Sequence, residues 1–165
     1  MFKIIVGVSK NGVIGNQNSL PWHSPDDMKH FKETTIDNIV VMGYNTWLSL
    51  GKKPLPNRRN IIYNPKLEKE VETLSNDCVM VNSVGQAHFV TYLHKMSSSR
   101  VRHAYLIGGA KTYELFLKEN LVDELIVTRF DFECEGDTFF HIPDEWKCFY
   151  EKIISKDAIV GYYTK

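Results

Sequence analysis

Cysteine is scarce in this chain: Cys78, Cys134 and Cys148 are odd in number and far apart in 165 residues. That pattern excludes a disulfide framework and a zinc knuckle and fits a reducing cytoplasm. Charge of one sign is lacking too, because 20 Lys and Arg balance 20 Asp and Glu and neither sign forms a stripe. No electrostatic footprint for a phosphate backbone or an anionic membrane results, so nucleic acid is not an expected partner. No apolar run approaches the roughly 20 residues that cross a bilayer. The apolar start from Met1 to Val8 turns polar at Ser9-Lys10-Asn11-Gly12, short of a signal peptide. Repeats, low-complexity tracts and a second-domain boundary are missing, and the six histidines show no metal-ligand spacing. No exposed apolar stripe is evident, so the expected state is a monomer. What remains is one domain spanning 1–165, 43% hydrophobic and 12% aromatic. A chain of this size buries roughly 70% of its unfolded surface, enough for a core and a ligand cleft.

The residues present read as strands alternating with helices. Ile4-Ile5-Val6-Gly7-Val8 is wholly apolar and β-branched, the pattern of a central strand buried on both faces. The Asn-, Gly- and Ser-rich stretch from Ser9 to Leu20 reads as a lid-like loop. Ser24 and Pro25 supply an N-cap and an N-terminal proline, opening a helix to about Thr35. Ile39–Met42 is a second buried strand ended by Gly43, and Tyr44–Leu50 a short helix. A basic, proline-containing turn from Gly51 to Asn60 leads into strand Ile61–Tyr63, stopped by Asn64-Pro65. Val79–Val81 is a further strand, Val84 to about Lys95 a helix, and Ser97–Arg100 a polar linker. Ala104–Ile107 reads as strand ended by Gly108-Gly109, Ala110–Lys118 as helix and Leu125–Thr128 as strand. The C-terminal stretch reads as a closing antiparallel ribbon. This alternation predicts an α/β domain with a mostly parallel central sheet.

Two strand ends carry glycine and run straight into a helix, at Gly43 and at Gly108-Gly109. Helix starts offer unpaired N–H groups, and glycine lets a phosphate approach the backbone, so the pair suits a dinucleotide diphosphate. Neither matches the full G-x-G-x-x-G fingerprint, and both are also compatible with simple tight turns. In the helix from Ser24, Asp26 shares a face with Lys29, His30 and Glu33, which reads as solvated. Asp27 shares the other face with Phe31 and Thr34, where a carboxylate is costly unless hydrogen-bonded or used. Trp22 reads either as a core aromatic or as an indole N–H donor near Asp27. Arg58 and Arg59 read as surface charge or, beside an aromatic-lined cleft, as a carboxylate clamp.

Further motifs occur in a set order. Val13-Ile14-Gly15, Leu20-Pro21-Trp22, Asp27 followed by Phe31-Lys32, Val41-Met42-Gly43 and Thr46-Trp47 come first. Leu55-Pro56 before Arg58, Ile107-Gly108-Gly109, Tyr113, Thr128 and Glu135-Gly136-Asp137-Thr138-Phe139 follow. Each is weak alone, but their joint order, over nearly the whole chain, resembles the dihydrofolate reductase family. The resemblance implies a central, mostly parallel eight-stranded sheet flanked by about four helices. It implies reduction of 7,8-dihydrofolate to tetrahydrofolate with NADPH as hydride donor, and antifolates as inhibitors. Asp27 would then bind the pterin with support from Thr128 and promote protonation at N5 through a water, which Trp22 would help to hold. Ile5, Val6, Met28, Phe31, Leu50, Leu55, Ile107 and Tyr113 would line the substrate pocket, and Arg58 would grip the substrate's glutamate carboxylate. On the cofactor side the resemblance points to Gly7, to Ile14, Gly15, Asn18, Ser19 and Leu20 in a mobile loop, and to Gly43, Tyr44, Asn45 and Thr46. It also points to Asn64, Pro65 and Lys66, and to Ile107, Gly108, Gly109, Ala110, Lys111, Thr112 and Tyr113.

Some positions depart from the family's common pattern. Tyr44 stands where many members place an arginine on the 2′-phosphate of NADPH, and Pro65 stands near a usual serine contact. Lys66 or Lys111 would replace the missing charge, giving a modest preference for NADPH over NADH. His30 stands at an often aromatic position, and Ala110 replaces a frequent third glycine. Two other readings remain: a pteridine or pyrimidine reductase on the same scaffold, needing no Arg58 clamp, and a non-catalytic folate- or nucleotide-binding module.

Overall fold

A computed structural model describes residues 1–165. The β-branched run at the start forms β1 (Phe2–Val8), buried on both faces through most of its length. It is flanked on both sides by parallel partners, β7 (Ala104–Gly108) and β8 (Val122–Phe130). Beyond β7 lie β3 (Ile39–Gly43), β4 (Arg59–Tyr63) and β6 (Cys78–Val81), all parallel, and the antiparallel edge strand β5 (Val71–Ser75). Beyond β8 the chain closes with β11 (Ala158–Thr164) and β10 (Lys147–Ser155), the antiparallel ribbon expected near the C-terminus. Four helices flank the sheet: α1 (Pro25–Thr35), α2 (Tyr44–Ser49), α3 (Val84–Ser97) and α4 (Ala110–Lys118). No helix is long and apolar enough to cross a membrane.

The sheet has nine strands. The strand beyond the expected eight-stranded count is accounted for at the edges. Val71–Ser75 reads Val-Glu-Thr-Leu-Ser and is mostly exposed, so it has no apolar run to mark it, and it forms because β6 offers a free edge. A second departure lies within Ser9–Leu20: Val13–Gly15 forms β2, which pairs antiparallel with β9 (Thr138–Phe139) in a separate two-stranded sheet. Both strands are too short to carry a period, and their pairing partner lies more than a hundred residues away.

The core explains why the carboxyl ends of the strands are aligned. Phe2, Ile4, Ile39, Val41, Ile61, Leu106, Phe116 and Leu125 have essentially no exposure and form one body of packed side chains across β1, β3, β4, β7, β8 and α4. A buried parallel strand has only one register that keeps both its faces dry. The ends of β1, β3, β4, β7 and β8 therefore share one edge, the side on which open parallel sheets bind ligands.

His30 corrects one sequence expectation. Periodicity set it with Asp26 on the solvated face of α1, yet the ring is only 5% exposed and its Nε2 has no hydrogen-bond partner, while Asp26 is exposed. The buried line of α1 runs through Asp27, His30, Phe31, Thr34 and Thr35, because the helix reaches along the sheet as far as its edge strand β10. Burial, reinforced by Lys152 from β10 and opposed by Glu33 on α1, lowers the His30 pKa from 6.5 to about 4. The unfolded chain therefore binds a proton at His30 between about pH 6.5 and 4 that the folded chain refuses. Its contribution to stability is complete above the unfolded value and is lost as pH falls through that window. Urea unfolding at pH 7 and pH 5 should show a drop in stability that His30→Phe makes smaller; an equal drop in both proteins would remove the histidine as its source.

Candidate active site

The site starts from the N-terminus of α1. Ser24 adopts an extended backbone conformation and its Oγ accepts from the Asp27 amide at 3.2 Å, with Pro25 in the first turn. This cap sets where the helix begins and so aims Asp27 back at the sheet. There the Thr128 hydroxyl donates to Asp27 Oδ1 at 2.7 Å. Thr128 lies beside Gly7 in the parallel pairing of β8 with β1. The other oxygen, Oδ2, faces Gly7 so closely that a methyl group there would sit 3.1 Å from it and 3.5 Å from the Trp22 ring. A side chain at Gly7 would therefore crowd the carboxylate and push it or its neighbours by a few tenths of an ångström. Trp22 packs on Phe130 and Phe132, with ring centroids 5.1 and 5.7 Å away.

Asp27 is half-buried, and desolvation raises its pKa above the ordinary carboxylate value, partly opposed by the Thr128 hydrogen bond. It has no cationic partner within ion-pair distance. A carboxylate kept from water, unpaired and hydrogen-bonded by a single hydroxyl, is suited to hold or share a proton nearer neutral pH than an exposed one.

Around it stands an apolar wall. Phe31 and Ile107 pack against the cluster containing Ile5, and Leu50, Leu55 and Ile107 pack against the cluster of Val40, Met42 and Trp47. Ile107, at the end of β7, joins the two. Val6 is buried within β1, while Met28 is 57% exposed. The Tyr113 hydroxyl, buried in α4, donates to the Ile5 carbonyl at 3.0 Å, and burial holds its phenol well above its ordinary pKa. On the far side Arg58 is only 7% exposed. Its Nε donates to the Pro56 carbonyl at 2.9 Å and one terminal nitrogen to Thr35 Oγ1 at 3.1 Å. No carboxylate lies within ion-pair distance of it. A buried guanidinium oriented by neutral acceptors has donors to spare for a carboxylate.

The two glycine junctions converge. A methyl on Gly43 would lie 2.4 Å from Thr112 Oγ1, 3.7 Å from the Gly108 carbonyl and 3.7 Å from the Gly109 nitrogen. Gly108 has φ +138°, and a methyl there would meet Thr46 Oγ1 at 3.1 Å. The N-caps of α2 and α4 are Gly43 and Gly109, neither of which supplies a capping side chain. Two helix starts with uncapped amides and two flanking hydroxyls, from Thr46 and Thr112, therefore meet in a space no Cβ fills, which fits a diphosphate. Tyr44 and Asn45 follow Gly43 in α2, and Ala110 and Lys111 open α4. Because Gly43 pairs with Tyr63, the turn of Asn64, Pro65 and Lys66 lies on the same edge as Tyr44.

The lid segment is built rather than loose at its root. Asn16 and Ser19 exchange backbone hydrogen bonds around Gln17 and Asn18, both at positive φ, which makes a tight reversal. Asn18, Ser19 and Leu20 are exposed, while Ile14 and Gly15 are half-buried. Asp137 ties the reversal down: its amide donates to the Gly15 carbonyl at 3.1 Å and its carboxylate accepts from the Gln17 amide at 3.1 Å. That hydrogen bond, with one from Thr138, holds the Asp137 pKa below the ordinary value. Asp137 is an anchoring position that the sequence showed only as part of a motif, with no sign of what it touches.

The family model described as dihydrofolate reductase matches residues 1–164. The chain is 32% identical over 162 residues to a dihydrofolate reductase of Buchnera aphidicola from Acyrthosiphon pisum, covering 96% of this chain and 92% of that protein. It is 34% identical over 150 residues to the Bacillus subtilis dihydrofolate reductase, covering 89% and 80% of the two. Among solved structures, dihydrofolate reductase from Enterococcus faecalis, complexed with NADP(H) and RAB-propyl, superposes with a TM-score of 0.78 at 26% identity. That match covers 99% of this chain and 95% of that one. With a fold, a held carboxylate and two converging glycine junctions already in place, these matches show that the chain belongs to the dihydrofolate reductase family.

Proposed function

We propose that this chain reduces 7,8-dihydrofolate to tetrahydrofolate with hydride from NADPH, and that Asp27, Thr128, Trp22 and Arg58 divide the work around the substrate. The observation that carries the reading is the Asp27 carboxylate held between the Thr128 hydroxyl and the bare backbone of Gly7, on the edge where the glycine junctions meet. NADPH supplies the hydride when bound, its diphosphate resting on the first turns of α2 and α4 and its charged ribose end near Tyr44, Lys66 and Lys111. Antifolates that mimic the pterin would bind the same carboxylate. The three free cysteines are compatible with a reducing cytoplasm.

The chemistry required of the protein is proton delivery to N5 as hydride reaches C6. Asp27 binds the pterin's amino group and ring nitrogen, and its desolvation favours the protonated form of the site. Thr128 fixes the carboxylate's rotamer, and Trp22 helps to place the water that carries the proton. Leu20 and its neighbours in the Gly15–Leu20 reversal cover the nicotinamide and exclude bulk water, held at their root by Asp137. Arg58 binds the glutamate α-carboxylate bidentately with the donors that Pro56 and Thr35 leave free.

The direct test is loss of NADPH absorbance upon adding dihydrofolate; cofactor binding without turnover would leave only a binding module. Asp27→Asn should lose at least about 10²-fold in kcat while still binding NADPH. In the wild type the hydride-transfer rate should fall as pH rises through the raised Asp27 pKa, and Asp27→Asn should flatten that dependence. Arg58→Lys should raise KM for dihydrofolate roughly tenfold or more and leave an unconjugated dihydropterin unaffected. Equal use of both substrates by the wild type would favour a pteridine reductase. Asp137→Ala should slow turnover roughly two- to tenfold with little change in melting temperature, read by stopped-flow and thermal unfolding.

A further inference from the structure

A cleft lies on the face of the sheet opposite Asp27. Strand alternation sends Gly7 and Thr128 toward that carboxylate and Val8 and Val127 to the other side, where Val8 and Val127 join the main core. There Val8, Val127, Phe130, Phe140 and Ile142 wall a cavity of about 510 Å³, within the range of sites that hold small molecules. Its polar lining includes Lys10, Arg129 and the His141 ring, and no carboxylate. The acids that meet two of these side chains stand outside the lining. Asp131 approaches Lys10 at 3.7 Å with both side chains mostly exposed, and Glu151 accepts from Arg129 with both about half-exposed. Exposed pairs of that kind are weak and yield to a better-placed anion.

We propose that this cleft is a second ligand site, taking an organic anion with a flat apolar body, and that its occupant steadies the Asn16–Ser19 reversal. The two halves of the lining select that class together. An inorganic anion would leave the apolar walls uncovered, and a neutral molecule would draw nothing from the ammonium and the guanidinium. Phe130 and Phe140 are aromatic walls, which favours a flat body. The link to the reversal is short. Gly12, which lines the cleft at φ +87°, immediately precedes β2, and Phe140 and His141 immediately follow β9. The Phe140 amide donates to the Gly12 carbonyl at 3.0 Å, and a methyl on Gly12 would lie 2.6 Å from the His141 ring. One side of the cleft is thus formed by the two segments that go on to pair as β2 and β9, next to Asp137. A ligand spanning Lys10 and His141 holds those segments together, and with them the reversal. Phe130 gives a second connection, because it also packs on Trp22 at 5.1 Å. That the reversal covers the nicotinamide rests on the proposed reaction; binding in the cleft does not.

Fluorescence titration of the full chain tests it, with anilinonaphthalene sulfonate as the anion and phenylnaphthylamine as its uncharged counterpart. The chain is titrated first alone and then saturated with NADPH and a diaminopyrimidine antifolate. Because the first titration needs no cofactor, its failure is distinct from failure of the proposed reaction. In both, the sulfonate should bind once per chain with a dissociation constant on the order of tens of micromolar, and the amine at least about tenfold more weakly. Lys10→Gln and Arg129→Gln together should weaken the sulfonate about tenfold or more, with near-ultraviolet circular dichroism unchanged. Ile142→Trp, which narrows the cleft and keeps every charge, should weaken both dyes. With the sulfonate bound, the amide protons of Gln17 and Asp137 should exchange with solvent at least about threefold more slowly, read by nuclear magnetic resonance. Helix α3 exposes Phe89, Tyr92, Leu93 and Met96, an apolar stripe that the sequence did not reveal, and so offers the dyes another surface. Binding that Leu93→Glu abolishes and the cleft variants leave alone overturns the proposal. Equal affinity for the two dyes overturns it too, as does loss of the sulfonate once NADPH and the antifolate are bound. Unchanged exchange at Gln17 and Asp137 overturns the link to the reversal.

Discussion

Everything at the carboxyl edge of this sheet depends on one carboxylate being kept from bulk water without a cation to neutralise it. Asp27 is half-buried beside Gly7, and a single hydroxyl, that of Thr128, holds it. Leaving such a group in this environment costs stability, since desolvation disfavours its charged form. The cost is tolerable because the elements around it are over-determined: Ser24 caps the helix start, β1 and β8 are paired along their length, and the core beneath admits one register. The same rigidity that strains the carboxylate makes its proton affinity useful.

Arg58 and Asp27 are opposite cases of one device. Each is an ionisable group drawn out of water and oriented by neutral partners, with no opposite charge of the protein within ion-pair distance. On the proposed reading they would together receive a molecule with hydrogen-bond donors at one end and a carboxylate at the other, with Phe31, Leu50, Leu55 and Ile107 between. The space between the two glycine junctions obeys a different principle. It uses no charged side chain at its centre, only helix amides, two threonine hydroxyls and the absence of a Cβ at Gly43. His30, buried and neutral one turn beyond Asp27, adds a group that loses stability for the domain as acid is added.

How much was legible in advance followed from how local each signal is. Strands such as Ile39–Met42 and Ala104–Ile107 were plain because a strand buried on both faces must be apolar throughout. The start of α1 was plain because a serine followed by proline has few other uses. His30 was misplaced because helical periodicity does not show how far the sheet extends beneath a helix, and the edge strand β10 reaches under α1. Val71–Ser75 was missed because an edge strand draws its stability from the partner's free backbone groups. The outward stripe on α3 was hidden for a related reason: amphipathicity reveals that a face exists, not whether the sheet or the solvent receives it.

By itself the sequence determined the alternation of strands and helices, the glycines that end β3 and β7, and the one acid that falls on an apolar helix face. Those are consequences of chain periodicity and steric permission, which act within a few residues. Only the tertiary structure decided that the two glycine junctions share one space, that Thr128 reaches Asp27 across 101 positions of chain, that Asp137 anchors the Asn16–Ser19 reversal, and that α3 leaves its larger side chains outside. Those facts require strands far apart in sequence to be adjacent and in register, and packing of the whole core alone supplies that.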